Sequence, residues 1–297
     1  HLEHGPLFKV CYFDLGPDRP GRLLMAAHHL VIDGVSLRIL LDDLRRAYQG
    51  QALPAPSTSW HEWAERLQSY AAALEVEPEL ARWRSVLEGV RPLPRDHQGE
   101  NLVSSLDMVH FQLTPDQTAQ LLRSRPEEAM LAALAEVLRD WTGTGGHVVD
   151  VDRHGREELF EEVDLSRTVG WFTDVQPSAL ENPGQTIPLR YGLLRYLHPD
   201  PEVRRRLAEL GQTQISFNYL GQLDSLVGGP WLGLAPESPG SLFAPEQPRM
   251  HLLEISAIVA GGVLSVSWGY SRNAHDRATI EKLAADFQRA LLGNRRG

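Results

Sequence analysis

The feature that most limits how this chain can fold is a change of hydrophobic period at His28-His29-Leu30-Val31-Ile32-Asp33-Gly34. Before it, Leu7 to Asp14 and Arg22 to His28 are apolar, β-prone runs. Gly16-Pro17-Asp18-Arg19-Pro20-Gly21 separates them, which predicts a hairpin. After it, Leu37, Leu40, Leu41, Leu44 and Tyr48 recur at helical spacing, with Asp33 and Gly34 at the expected helix start. Strand, tight loop and helix follow one another, and the second strand delivers both histidines at its end.

The pattern continues in mixed form. A Pro-broken stretch, Leu53 to Ser59, precedes expected helices at Trp60 to Tyr70 and Glu79 to Leu87, and Pro92 to Asn101 has the composition of a linker. Leu102 to Leu113 is strand-like. Glu127 to Trp141 is a helix whose Met130, Leu134, Leu138 and Trp141 share one face, and Val148 to Asp152 is a short strand. Ile255 to Val259 and Val263 to Tyr270 flank Ala260-Gly261-Gly262, a second hairpin signal. Ile280, Leu283, Phe287 and Leu291 define a closing helix. The class is α/β (α+β), without an internal repeat, and 297 residues leave room for two lobes of roughly 150 residues.

Charge and cysteine content narrow the function. A formal charge of -10 without a Lys/Arg cluster argues against nucleic acid and against an anionic membrane surface. Cys11 is the only cysteine, so no intrachain disulfide and no CxxC-type metal site can form, which suits the cytoplasm. No apolar run approaches the roughly 20 residues that span a bilayer, and His1-Leu2-Glu3-His4 does not open a signal peptide. The chain has no initiator Met and starts just before a strand-like segment, so it reads as an excerpt of something longer.

Two places could carry chemistry. A histidine on a strand-to-helix loop can act as a general base near neutral pH, and the following helix N-terminus can stabilise developing negative charge. On the motif alone, catalysis and simple packing of two histidines at a strand end both stay open. Zinc is disfavoured, since adjacent strand residues point to opposite faces and no HExxH accompanies them. Asp150 and Asp152 alternate with Val149 and Val151, which puts both carboxylates on one strand face.

His28 to Leu44, HHLVIDGVSLRILLDDL, resembles the HHxxxDGxS core of condensation and epimerization domains of nonribosomal peptide synthetases, relatives of chloramphenicol acetyltransferase. Further segments resemble epimerization motifs in the expected order. Asp152-Arg153-His154-Gly155-Arg156-Glu157 is similar to EGHGRE, Ser166 to Thr173 to RTVGWFT, Tyr191 to Leu197 to the segment around GYG, and Phe217 to Gln222 to FNYLGQ. The last two are more typical of epimerization than of condensation domains. The resemblance implies a two-lobed chloramphenicol acetyltransferase-like fold with a central channel. Residues 1–97 would be a partial N-terminal lobe and 98–297 the C-terminal lobe. The N-terminal lobe is expected to be incomplete because only 27 residues precede the motif. The stretch from Leu180 to Tyr191 is shorter than the family pattern.

The activity implied by that resemblance is L to D inversion at the α-carbon of an aminoacyl or peptidyl thioester, by deprotonation and reprotonation. His29 and Asp152 would be the proton carriers. Backbone N–H groups from Gly34 to Ser36 would face the enolate, Asn218 and Tyr219 would position the thioester or those donors, and Trp171 would line the channel. Structural roles fall to His28, to Asp33 paired with Arg38, and to Arg156 and Arg167, while His154 reads as a hydrogen-bonded turn histidine. No metal or cofactor is expected on the domain. The substrate would ride on the phosphopantetheine arm of an upstream peptidyl carrier protein, with neighbouring synthetase domains as further partners and the excised domain monomeric. Asp152-Arg153 replaces the family's Glu-Gly, shortening the acid and adding a cation beside it, and Leu37 stands where Trp is usual. A condensing acyltransferase and a noncatalytic docking domain are the competing readings.

Overall fold

Both hairpins form where the period-two runs predict them. In the computed structural model, β1 (Phe8–Phe13) pairs antiparallel with β2 (Arg22–Ala27), from Phe8 opposite Ala27 to Phe13 opposite Arg22. The structure describes residues 2–88, 90–181, 189–222, 235–240 and 243–293. The segment expected to be short between Leu180 and Tyr191 lies largely outside them. The chain divides into two compact units, each assembled from separated stretches: residues 1–67, 154–173 and 225–241 in one, and 68–153, 174–224 and 242–297 in the other. They are defined by packing, and a lobe boundary at 97/98 remains a separate proposal.

In the first unit, β2 leads through a single 3-10 turn, His29–Val31, into α1 (Gly34–Tyr48). Asp33 starts this helix because its extended backbone lets the carboxylate accept the Ser36 N–H at 2.7 Å, satisfying one of the donors that a helix start leaves open. Arg45 and Arg46 close it, where cations complement the helix dipole. The chain then enters α2 (Trp60–Ala72).

The second unit is built on a six-stranded sheet. Its strands are β3 (Leu106–Gln112), β4 (Val148–Arg153), β5 (Asp174–Ala179), β6 (Ile215–Gln222), β7 (Leu253–Ala260) and β8 (Val263–Ser271), in the order β3-β8-β7-β6-β4-β5. β4–β6 and β6–β7 are parallel and the remaining pairs antiparallel. Gly261 and Gly262 both adopt positive φ, 59° and 72°, which lets a two-residue turn follow the sheet's twist between β7 and β8.

Strict alternation gives this sheet one apolar face. Val149, Val151, Ile215, Phe217, Ile255, Ala257, Leu264, Val266 and Trp268 are buried in a single core with residues of α5 (Pro126–Thr142) and α8 (Arg277–Gly293), among them Met130, Leu134, Leu138, Ile280, Leu283 and Phe287. Each fully buried Val, Leu, Ile, Phe or Met among them contributes roughly 1.5–3 kcal/mol relative to exposure. The other helices of this unit are α3 (Val76–Leu87), α4 (Pro115–Leu122), α6 (Arg190–Gly192), which continues as a π turn over Leu193–Leu197, and α7 (Pro201–Ala208).

Some elements go beyond the sequence expectation. α4 carries a full capping box, Thr114 with Gln117, but at eight residues it is too short for a clear period. β5 contains Pro177, which discourages a strand assignment; among the described residues β5 is an edge strand paired with β4 alone, and there the missing N–H is tolerated. Among the described residues, no helix is long and apolar enough to cross a membrane.

Candidate functional site

The first unit brings three sequence motifs to one buried junction. Asp33, 4% exposed, accepts from Ser36 N at 2.7 Å, from Phe172 N at 3.1 Å and from Arg156 Nη2 at 3.3 Å. Arg156 also donates to the carbonyls of Leu165 and Thr168, each at 2.8 Å, and to Ser36 Oγ at 2.9 Å, with its guanidinium 3.9 Å from the Phe172 ring centre. Burial pulls the guanidinium's proton affinity down and Asp33 opposes that pull. Ser36, fully buried, donates to Gly170 O at 2.8 Å and accepts from Gly170 N at 3.1 Å. HHLVIDGVS, DRHGRE and RTVGWFT thus interlock through Asp33, Arg156 and Gly170. Arg156, 123 positions away, supplies a cation to Asp33.

Gly170 is demanded by packing. A Cβ there would lie 1.9 Å from Trp60 Cδ1, and Trp60 Nε1 donates to Trp171 O at 3.1 Å. Arg167 ion-pairs with Asp43, and with Asp42 at 3.6 Å, which ties the same motif to α1. No local sequence signal marks Trp60 as the partner of Gly170.

On this frame the histidines sit at the surface of the unit. His28 caps the 3-10 turn, its Nδ1 accepting from Leu30 N at 3.1 Å, while its backbone N–H donates to Leu7 O at 2.7 Å. His29 is exposed, and its ring meets the Trp171 ring edge-on at 5.0 Å. Trp171 is fixed by its own Nε1–H to Thr173 O at 3.1 Å. Gly34 opens α1 beside it, and a Cβ built there would meet no atom within 4 Å. His154 behaves as a turn histidine, its Nδ1 accepting from Arg156 N at 3.0 Å.

The second unit carries the acid. Asp150 and Asp152 leave the face of β4 opposite the core residues Val149 and Val151, as the alternation predicts. The parallel pairing of β4 with β6 sets Asp150 against Ser216 and Val151 against Phe217, and by the same alternation Asp152 and Asn218 leave the face opposite Val151 and Phe217 on these neighbouring strands. Asn218 pairs with Ser256, and Ser256 with Ser267, continuing a polar row across the sheet. Tyr219 goes the other way: it packs against the core, and burial, with Glu127 adding, raises its hydroxyl. Arg153 also leaves on the core side, where it ion-pairs with Glu127 at the start of α5. The cation expected beside Asp152 is therefore engaged on the opposite face. Among the described residues, no group of three or more His, Cys, Asp or Glu could hold a metal ion.

Residues 1–192 match the condensation-domain family. The chain belongs to that family. This condensation-family domain is similar to two of the subunits of the linear gramicidin synthase of Brevibacillus parabrevis, with 41% identity to each over 98% of its length. It spans only 4% of one of those proteins and 6% of the other. Among solved structures it is similar to the epimerization domain from the third module of tyrocidine synthetase B. That likeness has a TM-score of 0.83 and 34% identity, and covers 98% of this chain and 72% of the other. The mixed α/β class and the chloramphenicol acetyltransferase-like fold expected from the motifs are those of this family.

Proposed function

We propose that this domain epimerizes the α-carbon of an aminoacyl or peptidyl thioester held on a peptidyl carrier protein, with His29 and Asp152 as the two proton carriers. The observation that carries the reading is the parallel β4–β6 pairing, Asp150 with Ser216 and Val151 with Phe217, which makes neighbours of the two strands that bear Asp152 and Asn218 and puts both residues on the face away from the core. These residues come from two separate epimerization-like motifs, and sequence distance gave no reason for them to meet. The 34% identity to a tyrocidine synthetase epimerization domain supports the same choice.

The chemistry needs more than a base. A thioester α-proton is less acidic than imidazolium by about ten pKa units, an uphill transfer of about 14 kcal/mol. The enolate oxygen therefore requires donors fixed in advance. Ser36 N–H is committed to Asp33 at 2.7 Å, which narrows the candidates at the α1 start to Gly34 and Val35, aided by the helix dipole. Gly34 suits close approach of a substrate oxygen, because no protein atom would oppose a side chain there. Ser36 supports this loop from within, Trp171 orients His29, and Asn218 is the member of the Asn-Tyr pair that can act with Asp152. The substrate's phosphopantetheine belongs to the upstream carrier protein, and no metal or cofactor is invoked. In this reading the domain is monomeric when excised and works beside other synthetase domains in the cytoplasm.

The test is α-deuterium wash-in on carrier-loaded substrate in D₂O. The wild-type chain is expected to exchange, His29→Ala and Asp152→Asn to lose exchange by about 10²-fold or more, and Asp152→Glu to retain it. Absence of wash-in for the wild type, or full exchange in both loss variants, overturns the reading. The family match itself favours one alternative, condensation, in which His29 assists amine attack on a thioester. Amide product from loaded donor and acceptor carriers would select it.

A further inference from the structure

Trp171 is the residue through which the motif loop reaches His29, and its backbone is held from both sides. The peptide plane before it is fixed by Gly170 O, which accepts from Asp33 N at 3.1 Å and from Ser36 Oγ at 2.8 Å. The plane after it carries an N–H and a C=O that point in opposite directions, as a trans peptide requires. Phe172 N donates to Asp33 Oδ2 at 3.1 Å on one side, and Trp171 O accepts from Trp60 Nε1 at 3.1 Å on the other. With both planes set, and its own indole N–H on Thr173 O, Trp171 has one orientation to offer the His29 ring. Among these anchors Trp60 alone lies outside the interlocked motifs.

Trp60 is itself delivered by a clamp. The Pro-broken stretch ahead of α2 ends in Ser57-Thr58-Ser59, and its first two residues are stitched to the loop after Arg156. Thr58 N donates to Asp164 O at 2.9 Å, Asp164 N to Thr58 Oγ1 at 3.1 Å and Thr168 Oγ1 to Thr58 O at 2.6 Å, while Ser57 Oγ lies 2.8 Å from Thr168 Oγ1. Ser59 Oγ then accepts from Glu62 N at 3.1 Å, which starts the helix and sets Trp60 and Trp63 one turn apart. Trp63, 2% exposed, places its ring 6.4 Å from that of Phe172. Trp60 stays 43% exposed. Loss of apolar surface to water explains the placement of Trp63; an indole left that open is explained by what its N–H holds.

We propose that Trp60 is a positioning residue for His29 and acts through Trp171: its indole N–H locks the peptide plane that aims the Trp171 ring, and that ring holds the His29 imidazole edge-on at 5.0 Å. Such ring pairs depend on their mutual orientation, and a misplacement near 1 Å at a reacting group costs about 10²-fold. Trp171 O is open enough for water to replace the lost donor, so removing the Trp60 N–H costs alignment rather than leaving a buried carbonyl bare. The consequence for catalysis rests on the epimerization reading; the ring geometry stands without it.

The experiment uses the full chain with Trp60→Phe, which keeps a ring against Gly170 and deletes the N–H. Two readouts are independent of each other. One is α-deuterium wash-in as a function of carrier-loaded substrate concentration; the other is the NMR position of the His29 ring C–H resonances, which the Trp171 ring current displaces and which Trp171→Leu calibrates. Trp60→Phe should lower the maximal exchange rate about tenfold with KM held within about twofold, and move the His29 resonances part of the way to their Trp171→Leu positions. In the Trp171→Leu background it should change neither readout further. Should Trp60→Phe fail to fold, benzothienylalanine at the same position, which keeps the indole shape and puts sulfur in place of the N–H, takes over the test. Unmoved His29 resonances, a loss expressed only in KM, or an effect that persists without Trp171 overturn the proposal. A wild type without wash-in whose His29 resonances still move in Trp60→Phe would sink the epimerization reading and leave the Trp60–Trp171–His29 coupling standing. Wash-in with unmoved resonances would do the reverse.

Discussion

The two motif-bearing regions are built on opposite principles. At the junction in the first unit, Asp33, Ser36, Arg156 and Gly170 spend their polar groups on one another, and Asp33 and Ser36 are almost sealed. On the polar face in the second unit, Asp152, Asn218, Ser256 and Ser267 stay half-buried and alternate with side chains that do the packing. The comparison teaches that a motif residue in this family is not by that fact a chemical one. The junction fixes a loop so that its neighbours, His29 and Gly34, are presented; the sheet presents its residues directly.

If that contrast is right, stability and activity should separate. The largest effect is expected from Arg156→Leu, which leaves the buried Asp33 charge without its cation and should lower the unfolding free energy by about 3–5 kcal/mol. Denaturant titration checks it; recovery of part of the loss in Asp33→Asn/Arg156→Leu would tie the effect to the pair. Gly170→Ala comes next, at about 1–3 kcal/mol from overpacking against Trp60. Thermal melts of Gly170→Ala with and without Trp60→Leu measure it, and an unchanged melting temperature in the single variant would break the packing argument.

A smaller effect comes from pH. Burial lowers the proton affinity of His275 and His147, so the folded chain binds fewer protons than the unfolded one. Stability is then fully present above the unfolded histidine value, about 6.5, and is lost as pH falls from there towards the depressed folded values. Denaturant midpoints at pH 8 and pH 5.5 should show this decline, with a shallower slope in His275→Leu. The smallest stability effect belongs to the polar face: Asp152→Asn and Asn218→Ala should cost less than either junction variant, about 1 kcal/mol or less, while exchange collapses. Strong destabilisation by either would erase the distinction between the two regions.

Local pattern made much of this legible. The hairpins, α1, α5, β4 and α8 follow from period and turn chemistry, because each is decided by neighbours within a few residues. The placement of Asp150 and Asp152 on one face follows from the same alternation. Short motifs sufficed for the family, since their order survives whatever lies between them.

Tertiary structure alone decided the pairings across distance. No spacing in the sequence points Asp33 to Arg156; the helix start turns its carboxylate inward, where a loop more than a hundred residues on brings that cation. Asn218 and Tyr219 read as one pair, yet a strand sends adjacent side chains to opposite faces, and which face meets the core depends on the sheet order. His251 carries no sequence signal at all, yet the fold lays its Nε2 2.8 Å from Asp150 Oδ2. Periodicity records which way each side chain must turn to escape water; what it then meets is set by chain closure, which no local spacing encodes.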